Sequence, residues 1–170
     1  LLFVMNNEKR TKARDALKVL NNEEKLVSIG AYCLMPNHFH ILFKQEKEQG
    51  ITTFMQKLST AYVMYYNKKY KRSGGLFEGK FKSKYAGEDR YLKYLFSYIH
   101  LNPLKILDQN WKKYGLGDSQ YKFLLEYKYS SFNEYQKEEY HCINKEAFPD
   151  YFPNKAIFVK EIRNWVSLED

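Results

Sequence analysis

Apolar positions recur along this chain with two periods, and each period predicts a different kind of element. Over residues 7–20, Ala13, Ala16, Leu17 and Leu20 fall at helical spacing before the pair Asn21-Asn22, which predicts a short amphipathic helix that ends there. Residues 26–35 are rich in Val, Ile, Tyr and Cys and predict a strand. Pro36-Asn37 then turns the chain into a second strand over 38–44, so the two make a hairpin. Helical spacing returns over 51–70, with Ile51, Phe54, Met55, Leu58, Tyr62, Tyr65 and Tyr66 on one side. Thr52 or Thr53 sits near the start of that helix, and Gly74-Gly75 stops it.

Residues 76–85 alternate ring and charge, which predicts an irregular strand or strand-like arm. Glu88-Asp89 places negative charge at the N-terminus of a further helix that runs to about Asn102 and is halted near Pro103. Trp111, a Gly115-Leu116-Gly117 turn, a helical piece over 120–127 and a last amphipathic helix over 154–166 follow. An antiparallel hairpin alternating with helices predicts an α+β fold, and not a doubly wound parallel sheet.

With 170 residues the chain is long enough for one ordinary domain and short for two. At 44% hydrophobic and 18% aromatic residues, with 8 Gly and 4 Pro, it is neither low-complexity nor an intrinsically disordered polymer. No window approaches the roughly 18 to 20 uninterrupted apolar residues of a membrane-spanning helix, and the mean hydropathy is −0.66. The expectation is a soluble protein with no membrane partner. Cys33 and Cys142 lie far apart and match neither a metal or redox CxxC motif nor a disulfide framework, which points to a reducing, cytoplasmic setting. The chain opens Leu1-Leu2-Phe3-Val4 with no Met and no signal-peptide pattern, so it is expected to begin inside a longer gene product.

The formal charge of +8 is unevenly placed. Residues 1–103 carry a net +9 and residues 104–170 a net −1. The basicity concentrates over 57–84, where Lys57, Lys68, Lys69, Lys71, Arg72, Lys80, Lys82 and Lys84 face the single acid Glu78. Tyr62, Tyr65, Tyr66, Tyr70, Phe77, Phe81 and Tyr85 are interleaved with them. Cations that neutralise phosphates beside rings that stack on bases suit single-stranded or distorted nucleic acid. The same rings also fit a core-facing stripe rimmed by solvated lysines.

The sharpest chemical signal is Met35-Pro36-Asn37-His38-Phe39-His40. On a strand, residues i and i+2 share a face, so His38 and His40 present two imidazoles side by side while Phe39 points to the layer behind. Two imidazoles so placed make a divalent-metal clamp, although a pair of surface histidines on an edge strand has the same spacing. The helix before Pro103 offers partners in Tyr98 and Asn102, four residues apart on one helical face. Tyr98 also belongs to a Tyr91, Tyr94, Tyr98 stripe that could serve packing alone. His100 faces away from Tyr98 and is not counted as a ligand. Leu92, Leu95 and Ile99 form the stripe that would hold this helix on the sheet.

Three strings taken in order, YCLMPNHFHILF at 32–43, GGLFEGKFKS at 74–83 and YIHLNPLK at 98–105, resemble the HUH-type single-tyrosine transposases, especially the branch associated with repetitive extragenic palindromes. The resemblance covers residues from about 10 to 135. It implies a ferredoxin-like or RNA-recognition-motif-like antiparallel sheet with helices on one face over 1–135; residues 136–170 carry none of its pattern and are expected as a C-terminal helical extension of open role. It implies cutting of single-stranded DNA at hairpin-flanked sites through a covalent 5′-phosphotyrosine. Carried over by residue, His38 and His40 would be the paired metal ligands, Asn102 the polar third ligand, and Tyr98 the nucleophile.

Either Mg2+ or Mn2+ fits such a set, with imidazole softer than Mg2+ usually takes. A free tyrosine, with a pKa of about 10, needs help from a metal or base near neutral pH. The track for the DNA is expected at Lys57, Lys68, Lys69, Lys80, Lys82 and Lys84, with Phe77 or Phe81 as stacking rings. The family also places a strand before its first helix, for which only residues 1–4 are available, and its members include paired and single-chain forms, which leaves a homodimer open. Two other readings compete: a hairpin-binding module without cleavage, and a metal phosphoesterase that uses water as nucleophile.

Overall fold

The computed structural model describes residues 25–166, so the expected helix over 7–20 and the strand candidate at 1–4 lie outside the described residues. The predicted hairpin is present as β1 (Val27–Leu34) and β2 (Phe39–Gln45), paired in a two-stranded antiparallel sheet. Met35 N–H donates to the His38 carbonyl at 2.8 Å and closes the turn over Pro36-Asn37. Six α-helices accompany the sheet among the described residues, and the α+β class holds.

The edge of β1 away from β2 is covered by irregular chain and side chains instead of a third long strand. Cys33 forms an isolated antiparallel bridge with Ser130. Leu34 N–H donates to Tyr129 O at 2.8 Å, Ser131 N–H to Tyr32 O at 2.9 Å, and Asn144 N–H to Ile29 O at 2.9 Å. The hydroxyls of Tyr127 and Tyr135 donate to the carbonyls of Leu34 and Gly30 at 2.6 and 2.8 Å. Backbone groups that would otherwise template another chain are thereby satisfied within the molecule. Gly30 is required here by close approach: a Cβ would stand 2.9 Å from the Phe148 ring.

The described residues fall into two compact units, one of residues 25–27 and 45–84, the other of 28–44 and 85–166. The first contains α1 (Gly50–Tyr70). Its apolar side is the expected one except at Tyr62, which is exposed: Met55 is buried and Ile51, Phe54, Leu58, Tyr65 and Tyr66 are half-buried. Its ends differ from expectation. Gln49, at φ 56°, precedes the helix with no side-chain cap, and Thr52 and Thr53 lie inside it. Lys71, at φ 50°, ends it three residues before Gly74, its N–H donating to the Asn67 carbonyl. A left-handed residue at the C-terminus stops a helix whether or not it is glycine. Residues 72–87 are irregular, with no strand pairing.

In the second unit, α2 (Asp89–Leu101) carries Phe96, Ser97, Ile99, His100 and Leu101 into the interior. Ile99 is buried and Leu92 and Leu95 pack partly against the core, as their spacing predicts. The same side of α2 also packs against Tyr135 and the segment expected as a C-terminal extension over 136–170. Phe96 meets Tyr135, Phe148, Tyr151 and Phe152 edge to face. Beyond α2 come α3 (Leu104–Leu107), a 3-10 turn (Trp111–Tyr114), α4 (Asp118–Glu126), α5 (Phe132–Lys137) and α6 (Lys155–Val166). Phe132, Phe158 and Ile162 are fully buried in the same core as Ala31, Cys33 and Leu101, and Lys93 pairs with Glu161 at 2.6 Å between α2 and α6.

Two local findings depart from the sequence pattern. Pro103 ends α2 but does not end helical backbone: Asn102 (φ −54°, ψ −36°) and Pro103 (φ −55°, ψ −26°) are both right-handed, and α3 follows at once. Proline accepts the first turn of a helix, where its missing N–H costs nothing. The short α5 has no counterpart in the sequence pattern, because six residues give no measurable period. Glu134 on it is buried, accepting from Tyr32 Oη at 3.0 Å and from the backbone N–H groups of His141, Cys142 and Ile143 at 2.6 to 3.3 Å.

Candidate active site at the hairpin turn and the end of α2

The hairpin turn delivers two imidazoles together. The rings of His38 and His40 lie edge to face with centroids 5.0 Å apart and planes at 87°. His38 is exposed and His40 half-buried. His38 Nδ1 and Asn37 Oδ1 are 2.7 Å apart. A carbonyl oxygen only accepts, so Nδ1 carries the proton and Nε2 of neutral His38 keeps its lone pair for a ligand. Burial first, then the charges of His38 and Lys105, hold His40 below the usual imidazole range, so the neutral form that a metal needs prevails.

Helix α2 delivers the third ring. Tyr98 is half-buried, its centroid 5.4 Å from that of His40 with the planes at 80°. On its other side it stacks on Tyr94 at 6.0 Å and 17°, and Tyr94 on Tyr91 at 6.1 Å and 13°. The stripe read from the sequence is therefore a stack of rings that terminates beside the histidine pair. Asn102 is 2% exposed. Its Nδ2 donates to the Tyr98 carbonyl at 3.3 Å, while its buried Oδ1 has no hydrogen-bond partner. A buried amide oxygen without a donor is costly, and a cation would satisfy it. Two imidazole nitrogens and one amide oxygen fit Mg2+ or Mn2+ as a donor set. Among the described residues no group of three His, Cys, Asp or Glu side chains converges on a metal position, so an oxygen of this amide type is what the pair would need.

Other groups of suitable chemistry are engaged elsewhere. His100 is fully buried, shares a 2.7 Å hydrogen bond with Ser131 Oγ, and is held down to about 3 by burial. Cys33 and Cys142 are free thiols, pushed up to about 12 and about 11 by burial, which removes thiolate chemistry at neutral pH. Lys105 is the residue that sequence reasoning misses: its Nζ stands 5.2 Å from the centroid of the Tyr98 ring. The signal is present in YIHLNPLK, but Asn-Pro reads as a break in the helix, which hides the shared face.

The basic stretch lies in the first unit, and Lys57, Lys68, Lys69, Phe77, Lys80, Phe81, Lys82 and Lys84 are all exposed. On α1 the rings form a ladder at four-residue steps, Tyr62 to Tyr66 at 6.1 Å and Tyr66 to Tyr70 at 4.4 Å, with Phe77 against Tyr62 at 6.1 Å. Lys69 Nζ lies 5.2 Å from the Tyr70 ring and Arg72 lies 5.7 Å from the Tyr66 ring. Tyr62, Tyr66, Tyr70 and Arg72, which the sequence places in the same basic stretch, thus join the lysines and phenylalanines expected as the track.

An exposed basic, ring-rich surface and a histidine pair beside a tyrosine describe a protein that handles nucleic acid. The family described as IS200-like transposases matches residues 3–102, more than half of the chain, and the chain belongs to that family. No curated protein and no solved structure matches it. Membership gives the chain a transposase role with DNA as its partner. Every site residue expected from the sequence falls inside the matched span, which closes on Asn102, and Lys105 falls beyond it. No helix among the described residues is long and apolar enough to cross a membrane.

Proposed function

We propose that this transposase is a metal-dependent single-strand DNA nickase and strand transferase, of the branch associated with repetitive extragenic palindromes, that acts at hairpin-flanked sites through Tyr98. The observation that carries the reading is the ring cluster of His38, His40 and Tyr98, built from two elements that meet only through the fold. In the reaction the Tyr98 oxygen forms a bond to the scissile phosphorus and the bond from phosphorus to the 3′ oxygen breaks. The phenolic proton leaves and the 3′ oxygen gains one, so a 5′-phosphotyrosine and a free 3′-hydroxyl result. Rejoining runs the same exchange backwards with another 3′-hydroxyl.

His38, His40 and Asn102 would hold the divalent ion, with Mn2+ favoured by the imidazole donors. That ion supplies polarisation of the phosphate and offsets its charge in the transition state. The exposed lysines over 57–84 neutralise backbone phosphates, and the ring ladder on α1 offers stacking faces to unpaired bases.

The test is nicking of end-labelled hairpin oligonucleotides, taken from sequence flanking the coding region, in a Mn2+ titration. Wild type cleaves only with metal, and both Tyr98→Phe and the pair His38→Ala with His40→Ala lose cleavage while retaining binding. Cleavage at the wild-type rate by Tyr98→Phe would make water the nucleophile. Tight binding with no cleavage by wild type would leave a hairpin-binding protein that has lost the reaction.

A further inference from the structure

Lys105 sits at the Tyr98 ring without a counter-charge among the described residues. From Tyr98 to Lys105 the backbone stays right-handed through Asn102 and Pro103, and Lys105 N–H donates to the Asn102 carbonyl at 3.1 Å. Positions 98, 102 and 105 therefore follow i, i+4 and i+7 along one helical face, and the ammonium lands over the Tyr98 ring. Lys105 is half-buried, and no carboxylate of the described residues is within ion-pair distance of it. Asp108, the nearest acid in sequence, turns its Oδ1 to the Asn110 N–H at 2.8 Å. A ring face is a weak partner for a cation, so the position favours an anion. The Tyr98 phenol and the His40 imidazole beside it supply none.

We propose that Lys105 binds a non-bridging oxygen of the scissile phosphate and holds that phosphate in line with the Tyr98 oxygen. The proposal rests on the reading of Tyr98 as nucleophile. It assigns to a residue beyond the family-matched span the task of matching the charge that grows on the phosphoryl oxygens as the new bond forms. Lys105 takes no part in the bond exchange.

Two measurements on Lys105→Gln and Lys105→Arg test this, using the same flanking hairpin oligonucleotides. The first is the rate of covalent adduct formation with Mn2+: Gln slows it by roughly 100-fold, the scale of removing one preorganised donor to a transition-state oxyanion, and Arg restores most of it. The second is metal-free binding in EDTA across a salt series, where Gln lowers the slope of log Kd against log salt by about 0.7, the equivalent of one neutralised phosphate on a single strand, and Arg does not. A Gln variant with wild-type adduct rate and slope overturns the proposal. Gln and Arg variants equally slow and equally shallow overturn it as well, since charge would then not be what Lys105 contributes. No adduct from wild type combined with the expected change in slope would remove the tyrosine mechanism and keep Lys105 as a phosphate ligand.

Discussion

At the scale of single residues, burial decides which groups can act. His100 and His40 are both imidazoles, and their surroundings give them opposite roles. His100 is sealed among Phe132, Tyr135 and Phe158 with Ser131 as its polar partner. His40 keeps one side open beside His38 and Tyr98. The sealed one makes a stability prediction. Above the ordinary imidazole value of 6.5, His100 is neutral in both folded and unfolded chains and adds no pH dependence. Between 6.5 and its folded value of about 3 the unfolded chain takes a proton that the folded chain refuses, so stability falls as pH falls, by up to roughly 1.4 kcal/mol per pH unit. Urea unfolding at pH 7 and pH 5 should show about 2 kcal/mol of loss from this group, and His100→Gln should flatten that part of the dependence while costing about 1 to 3 kcal/mol at pH 7. The same pH dependence in His100→Gln would place the acid sensitivity elsewhere.

At the scale of elements, periodicity carries most of the information. The hairpin, α1, α2, α4 and α6 all stand within a few residues of where their apolar spacing puts them. What spacing does not show is backbone conformation at the boundaries. Lys71 takes the left-handed stop expected of the pair Gly74-Gly75, and Pro103 opens a helix instead of closing the helical run. The second of these hides Lys105, because a residue before proline usually leaves the helical region and the face shared by 98, 102 and 105 exists only if it does not. The histidine pair is legible because a period of two is unambiguous on a strand. Its meeting with Tyr98 is not, since no local pattern relates residue 40 to residue 98.

The segment after α1 belongs to this scale too. It is irregular and exposed, with Lys80 and Lys82 two residues apart. Exchanging both for Glu should weaken oligonucleotide binding and reduce its salt slope by about 0.7 for each phosphate no longer neutralised. An unchanged slope in a folded double variant would take this segment out of the DNA track.

Across the whole molecule, the two compact units divide the chemistry. The first holds the exposed cations and the ring ladder of α1, and the second holds the histidine pair, Tyr98, Asn102 and Lys105. Charge counting finds the first from the sequence, since excess charge on a surface needs no fold to be seen. The second is built on a core that continues well past the family-matched span. Phe158 and Ile162 are as deeply buried as Phe96 and Leu101, so residues after 135 are part of what holds α2 in place. Of that stretch only α6 shows in the sequence, through its amphipathic spacing, because aromatic packing has no spacing signature of its own. The proposed strand transfer would use both: a basic, ring-rich surface for an unpaired strand, and a tyrosine held rigidly beside paired imidazoles.

The most direct measurement is the chemical identity of the group that Tyr98 carries after reaction. Wild-type protein incubated with flanking hairpin DNA and Mn2+ would be digested with nuclease and protease, and the peptides read by mass spectrometry. The mechanism requires a residual 5′-linked nucleotide on the peptide containing Tyr98, absent without metal and absent from Tyr98→Phe. Cleaved DNA with an unmodified Tyr98 peptide, or the nucleotide on any other residue, would contradict it.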